Sequence, residues 1–252
     1  QLAVQHATNR TTHGMLLPLH LGRLGPEFVE SHGELPPNET HESPFQCSLL
    51  GLVPDAVPLL EARHLIKQMM GGRHDILAAM GKNGVRYTIM GVNEFTTDVP
   101  EHSDLTPARY WDRRARGLGA TFSRPSVSCG EENLLCLNGD PYATENILIH
   151  EFAHAVHEMG LVTTDPSFDD RLKKVYWEAL EEGLWKGTYA ASNRMEYWAE
   201  MVQSWFDTNR QNDGQHNHIN TRAELKEYDP RVAALCEEVD KDKSGTIDFA
   251  EF

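Results

Sequence analysis

No run in these 252 residues approaches the roughly 18 apolar residues a helix needs to cross a bilayer, so no transmembrane helix is expected. The most apolar short run, residues 15–21, is broken by Pro18 and His20. Basic residues are few: 23 Lys and Arg stand against 38 Asp and Glu, a formal net charge of −15. That balance argues against nucleic acid or an anionic membrane surface as partner, and it favours basic substrates or bound cations. Cysteine is scarce too. Cys47, Cys129, Cys136 and Cys236 make an even count that permits two disulfides in three connectivities. Loop economy suggests Cys129 with Cys136, leaving Cys47 for Cys236. Two N-glycosylation sequons, Asn9-Arg10-Thr11 and Asn38-Glu39-Thr40, agree with that cysteine parity in favouring a secreted glycoprotein. No signal peptide is visible, and Gln1 in place of Met suggests a processed or truncated start.

What the chain does hold is enough for one good core and a small appendage. Residues 1–54 lack clear periodicity, and Pro26, Pro36, Pro37 and Pro44 among polar residues read as an extended N-terminal arm or the remnant of a pro-segment. From residue 55 to 228 regular structure is expected. Leu59, Leu60, Ala62, Leu65, Ile66 and Met69 fall at helical spacing up to Gly71-Gly72, and a short helix follows over 75–80, stopped at Gly81. Val85, Tyr87 and Ile89 alternate as in a strand, and 126–129 reads as another, the candidate edge for holding an extended peptide backbone. Residues 130–142 read as a loop. A helix over 143–159 ends at Gly160, and Pro166 and Gly183 bracket an amphipathic helix over 167–182 with Leu172, Val175, Tyr176 and Leu180 inward.

Inside the first of these helices stands His150-Glu151-Phe152-Ala153-His154, a His-Glu-x-x-His pattern. Four residues is about one helical turn, so both imidazoles face one side and reach one ion. Glu151 lies between them, within reach of a water on that ion. Zn²⁺ suits this layout: it takes imidazole nitrogen, keeps one position open for water and lowers that water's pKa to about 7. The glutamate then takes the proton as the water attacks a carbonyl. The apolar flank of Ile147, Leu148, Phe152, Ala153 and Val156 would otherwise bury two histidines without purpose.

A catalytic zinc needs a third protein ligand. A histidine six residues beyond the second is one solution, but Gly160 stands there. A carboxylate on a later helix is the other, and Arg194-Met195-Glu196-Tyr197-Trp198-Ala199-Glu200 carries two, one turn apart. Spacing alone lets either ligate, with the other hydrogen-bonding a ligand histidine from behind. These segments, with Tyr189 seven residues before Glu196, resemble the catalytic domain of anthrax lethal factor and related secreted zinc peptidases, including the Pro-Pro endopeptidases. The resemblance spans about residues 85–210. It implies an α+β, zincin-type fold with a small sheet, an active-site helix and a helical C-terminal subdomain, acting on peptide or protein substrates. It also implies His150, His154 and Glu196 as zinc ligands, Glu151 as general base, Tyr189 as hydrogen-bond donor to the oxyanion, and Glu200 as the group that orients His150.

The tail, 229–252, holds a second metal pattern. His216 and His218 before it read as solvated loop residues. A short helix then leads into a twelve-residue EF-hand loop in which Asp240, Asp242, Ser244, Thr246, Asp248 and Glu251 supply oxygens to Ca²⁺ and Gly245 makes the sharp turn. The exiting helix is missing. The sequence therefore reads as a secreted zinc metalloendopeptidase with an appended partial EF-hand. Its rivals are a zincin-like calcium-binding adaptor without activity, against which Glu151 and Tyr189 argue, and a zinc hydrolase of non-peptide amides.

Overall fold

The computed structural model describes residues 3–7, 48–50 and 57–240. The architecture is mixed α and β: one sheet of five strands and a larger set of helices. In chain order the strands are β1 (Ala3–Ala7), β2 (Ser48–Leu50), β3 (Arg86–Met90), β4 (Gly117–Leu118) and β5 (Ser126–Gly130), arranged β2-β1-β3-β5-β4. All pairings are parallel except β4 with β5, which is antiparallel, with Gly117 opposite Cys129 and Leu118 opposite Ser128. Two pieces of the N-terminal arm thus belong to the sheet. The expectation that 126–129 forms the edge is corrected: β5 is flanked by β3 and β4, and β4 is the edge strand on that side.

The alternation read in 85–90 is erased in the structure, since Tyr87 to Met90 are all buried. Both faces of β3 are covered, as in parallel sheets generally. Tyr87 packs its ring on Phe152, while Thr88, on the other face, shares a 2.9 Å hydroxyl–hydroxyl hydrogen bond with Ser126.

Among the described residues the α-helices longer than three residues are α1 (Val57–Met70), α2 (His74–Lys82), α3 (Ala108–Arg114), α4 (Glu131–Leu134), α5 (Ile147–Ala155), α6 (Phe168–Glu181), α7 (Arg194–Trp205), α8 (Arg222–Tyr228) and α9 (Pro230–Val239). The stops expected at Gly81 and Gly160 are not stops. Helix α2 runs through Gly81, and α5 passes into a π-helical stretch, Val156–Leu161, that carries the chain past Gly160. Gly160 is instead a contact point: a Cβ there would stand 2.6 Å from Ile76 Cγ2.

The core gathers between the sheet and these helices. Trp198 and Trp205 of α7, Phe152 of α5 and Phe168 of α6 are among its largest sealed side chains. Trp198 donates its indole N–H to the Ala153 carbonyl at 3.0 Å, satisfying a buried polar group while tying the middle of α7 to the middle of α5. The buried carboxylate of Asp229 accepts from Tyr197 at 2.5 Å and Trp185 at 3.0 Å.

The expected cysteine bridges are not formed. Cys129, Cys136 and Cys236 are free thiols. Cys129 sits in the middle of the sheet with no exposure, and burial, with Glu132 and Glu151 nearby, holds its thiol well above the usual range. The chain between it and Cys136 makes helix α4 and brings Cys136 to the surface. Cys236 lies sealed on α9, and Cys47 falls outside the described residues, as do both sequons.

Candidate metal and catalytic centre

Two asparagines set the phase of the two helices that matter. Asn146 caps α5, its side chain accepting from Ile149 N, and Asn193 caps α7, accepting from both Met195 N and Glu196 N. Such caps satisfy backbone N–H groups that the first turn leaves orphaned. With the ends fixed and Trp198 locking the crossing, His150 and His154 of α5 face Glu196 of α7. Their Nε2 atoms lie 3.2 Å apart, and Glu196 Oε2 is 3.1 Å from one and 3.4 Å from the other. Donors held 2.0–2.1 Å from an ion at tetrahedral angles lie about 3.3–3.4 Å from one another, so the three atoms have the spacing of a zinc site. Among the described residues this is the one cluster of three or more His, Cys, Asp or Glu donors so close together.

The hydrogen bonding behind the cluster agrees. His150 Nδ1 stands 2.7 Å from Gln203 Oε1. The Gln203 amide N donates to Asn146 O at 3.2 Å and Glu145 Oε2 at 3.3 Å, which fixes which way the amide points. His150 therefore donates from Nδ1 to Gln203 and turns Nε2 toward His154 and Glu196, the orientation a metal ligand requires. The charge balance points the same way. Burial opposes a charge on His150, but the hydrogen bond to Glu196 and the charges of Glu151 and Glu200 outweigh it and push the imidazole up to about 10. Burial likewise resists ionising Glu196, yet the two histidines hold its carboxyl well below the usual range. The pocket is electronegative and stabilises positive charge.

Glu200, expected behind His150, is not its hydrogen-bond partner. Its nearest oxygen is 3.7 Å from His150 Nδ1, and its carboxylate instead meets Asn209 Nδ2 at 3.1 Å and His216 Nε2 at 3.3 Å. The reading of His216 as a solvated loop residue is corrected accordingly: it is buried between Glu200 and Asp213, whereas His218 is exposed. Gln203 was missed. It lies seven residues after Glu196 on the same helical face, and the available signal was an amide in a run, Tyr197 to Trp205, that is buried throughout.

Glu151 and Tyr189 complete the centre. Glu151 is half-buried, and burial raises its carboxyl pKa despite the two histidines beside it. Tyr189 opens a short 3₁₀ turn, Tyr189–Ala191, pinned by a 2.7 Å bond from its N–H to the Gln215 carbonyl. Its ring is near-parallel to that of His150, 6.4 Å between centroids. The Glu196 carboxylate and the Arg114 guanidinium both act electrostatically on the phenol. Burial and the neighbouring Glu196 raise its pKa, so it stays a donor. His150, Glu151 and Tyr189 line one cavity of about 240 Å³, together with Arg114 and Gly117. Helix α5 and β4 close from the two sides: a Cβ at Gly119 would stand 2.6 Å from His154 Cβ. His157, one turn past His154, is buried and bonds Asp169 at 3.0 Å, away from the cluster. Arg194 also grips Asp169, at 2.7 Å, so the residue that opens α7 is tied to the stretch that follows α5.

Of the calcium ligands expected in the tail, only Asp240 is described. It is buried just past the end of α9, and its Oδ2 accepts from the Trp205 indole at 2.8 Å and Arg222 at 3.3 Å. Asp242, Ser244, Thr246, Asp248 and Glu251 lie outside the described residues.

No family model matches this sequence, and no curated protein matches it significantly. Among matching solved structures is the Pro-Pro endopeptidase PPEP-2 from Paenibacillus alvei, 18% identical over 72% of this chain and 91% of that one, with a TM-score of 0.46. The likeness is distant, below what fixes a shared chemistry.

Proposed function

We propose that this protein is a zinc-dependent endopeptidase. The observation that carries the reading is the convergence of His150, His154 and Glu196 at tetrahedral spacing, with His150 also lining a cavity together with Glu151 and Tyr189. His150, His154 and Glu196 would hold the ion, and a bound zinc supplies Lewis acidity and a water acidified to about pKa 7. Glu151 takes up a proton during attack and returns it to the leaving amine, for which its raised pKa suits it. Tyr189, kept protonated by its surroundings, donates to the oxygen that becomes negatively charged at the scissile carbonyl. Edge strand β4, pressed against α5, offers backbone groups for an extended peptide to pair with. Secretion and calcium binding by the 240–251 loop are part of the same proposal and rest on the sequence pattern.

The test combines metal content with turnover. After dialysis the protein should retain one zinc per chain and cleave members of a peptide library, with cleavage abolished by chelator and restored by zinc. Glu151→Gln should retain zinc and fold but lose cleavage, because no group is left to take the proton. Zinc well below one equivalent, or full activity in Glu151→Gln, overturns the reading.

A further inference from the structure

Arginines in this protein are mostly spoken for. Arg116 pairs with Glu132 at 2.6 Å, Arg210 with Glu145 at 2.6 Å and Arg124 with Asp104 at 2.8 Å. Helix α3 is different. It carries Arg109, Arg113 and Arg114, all exposed, and none of the three forms an ion pair with a carboxylate among the described residues. No residue of α3 is buried, and Tyr110 stands 53% exposed. The Trp111 ring lies edge-on to Tyr110, and the Arg114 guanidinium sits 5.8 Å from the Trp111 ring centroid. The three guanidinium groups make a locally positive patch on a chain whose formal net charge is −15. Such a patch attracts anionic groups from solution.

Its location says where the anion comes from. Arg109, Tyr110, Arg113 and Arg114 line a shallow depression, and Arg114 also lines the cavity that holds His150, Glu151 and Tyr189. Arg114 is thus the shared wall of the two concavities, and Tyr189 lines the second of them with it. Helix α3 leads within three residues into edge strand β4. A peptide paired with β4 would therefore lie next to the arginines of α3. We propose that α3 is a specificity element that selects peptide substrates bearing an aspartate or glutamate a few residues from the scissile bond. The inference rests on the endopeptidase reading. Guanidinium groups take carboxylates by charge-assisted, often bidentate hydrogen bonds, and the exposed Tyr110 ring offers an apolar surface to the adjoining substrate residue.

The experiment separates this proposal from that reading. A library cleaved by the zinc-loaded protein should be enriched in Asp and Glu within about four residues of the cut. For the best sequence, the acidic peptide should show a kcat/KM about tenfold above that of its Asn or Gln counterpart, the size of one good charged contact. In the double variant Arg109→Gln, Arg113→Gln the ratio should fall to about twofold, with turnover of the neutral peptide unchanged. Added salt should shrink the parent's ratio toward the variant's. Independently of turnover, a fluorescently labelled acidic peptide should bind Glu151→Gln more tightly than its amide counterpart, and the preference should vanish when the two arginines are also replaced. If no peptide is cleaved but this arginine-dependent binding persists, the endopeptidase reading falls and the acidic-peptide site stands. If peptides are cleaved with acid and amide forms equal, the site falls and the endopeptidase reading stands. Tighter arginine-dependent binding of a single-stranded oligonucleotide than of the acidic peptide would also overturn it.

Discussion

Gln203 offers the sharpest check on how the metal centre is held. Its side chain is sealed in the core, and three hydrogen bonds run through it: His150 Nδ1–H to its oxygen at 2.7 Å, and its amide N–H groups to Asn146 O at 3.2 Å and Glu145 at 3.3 Å. Gln203→Leu keeps nearly the same volume and removes all three. His150 is then free to rotate or to move its proton to Nε2, which would block the metal lone pair. Losing such a partner typically lowers metal affinity 10- to 100-fold, or about 1.4–2.8 kcal/mol. The stranded His150 Nδ1–H adds about 1–3 kcal/mol of lost stability, while the Asn146 carbonyl keeps the His150 backbone N–H at 3.3 Å as its donor. Gln203→Glu is the informative companion. It restores an acceptor to His150 but sets a second carboxylate against Glu145, so zinc affinity should recover while stability does not. Glu200→Gln is the control. At 3.7 Å from His150, with Asn209 and His216 as its partners, Glu200 should matter to stability and hardly to zinc. Competition against a chromogenic chelator gives the affinities, and urea unfolding gives the stabilities. Zinc held within about twofold of the parent by Gln203→Leu, together with a tenfold loss in Glu200→Gln, would refute the assignment and return His150's support to Glu200.

Tyr189→Phe should keep its zinc and lose on the order of 10² in kcat, the usual cost of one oxyanion donor; cleavage at the parent rate would remove Tyr189 from the chemistry. Gly119→Ala should destabilise the fold by about 1–3 kcal/mol in thermal or urea melts, since its Cβ has no room beside His154, and an unchanged midpoint would mean that the chain just past β4 does not press on α5. His102 is buried, and burial followed by the charge of Arg124 holds its pKa down to about 4. The unfolded chain therefore binds a proton there that the folded one refuses, and stability should fall by about 3 kcal/mol from this group alone between pH 6.5 and pH 4. Urea melts at pH 7 and pH 4.5 should show a shallower decline in His102→Gln than in the parent, and equal declines would contradict the burial argument.

What could be read from the sequence follows how far apart the interacting residues lie along the chain. His150, Glu151 and His154 share one turn of helix, so geometry alone groups them. Glu196 comes from a helix 46 residues past His150. Periodicity gave two carboxylates for that place, and only a family resemblance favoured one. The support behind His150 shows why. Glu196, Glu200 and Gln203 recur at the spacing of a single helical face, so all three aim broadly at α5. Which of the latter two meets Nδ1 depends on the crossing of α7 over α5 and on the Asn193 cap, both of them tertiary facts. Glu200's alternative partners, Asn209 and His216, come from an irregular loop that no periodicity describes.

The edge strand failed to show for the complementary reason. β4 is two residues long and begins with glycine, a composition that reads as a break between elements. In the structure that same composition makes it an edge strand beside the centre. Only a chain without side chains at 117 and 119 can approach α5 closely enough, since a Cβ would meet Ile147 and Glu151 at the first position and His154 at the second. Strand β5, with its readable run of Ser, Val and Cys, is thereby displaced to the interior of the sheet and loses the edge role its composition suggested. Gly117 and Gly119 are what allow the strand segment and the metal helix to lie against each other beside the cavity.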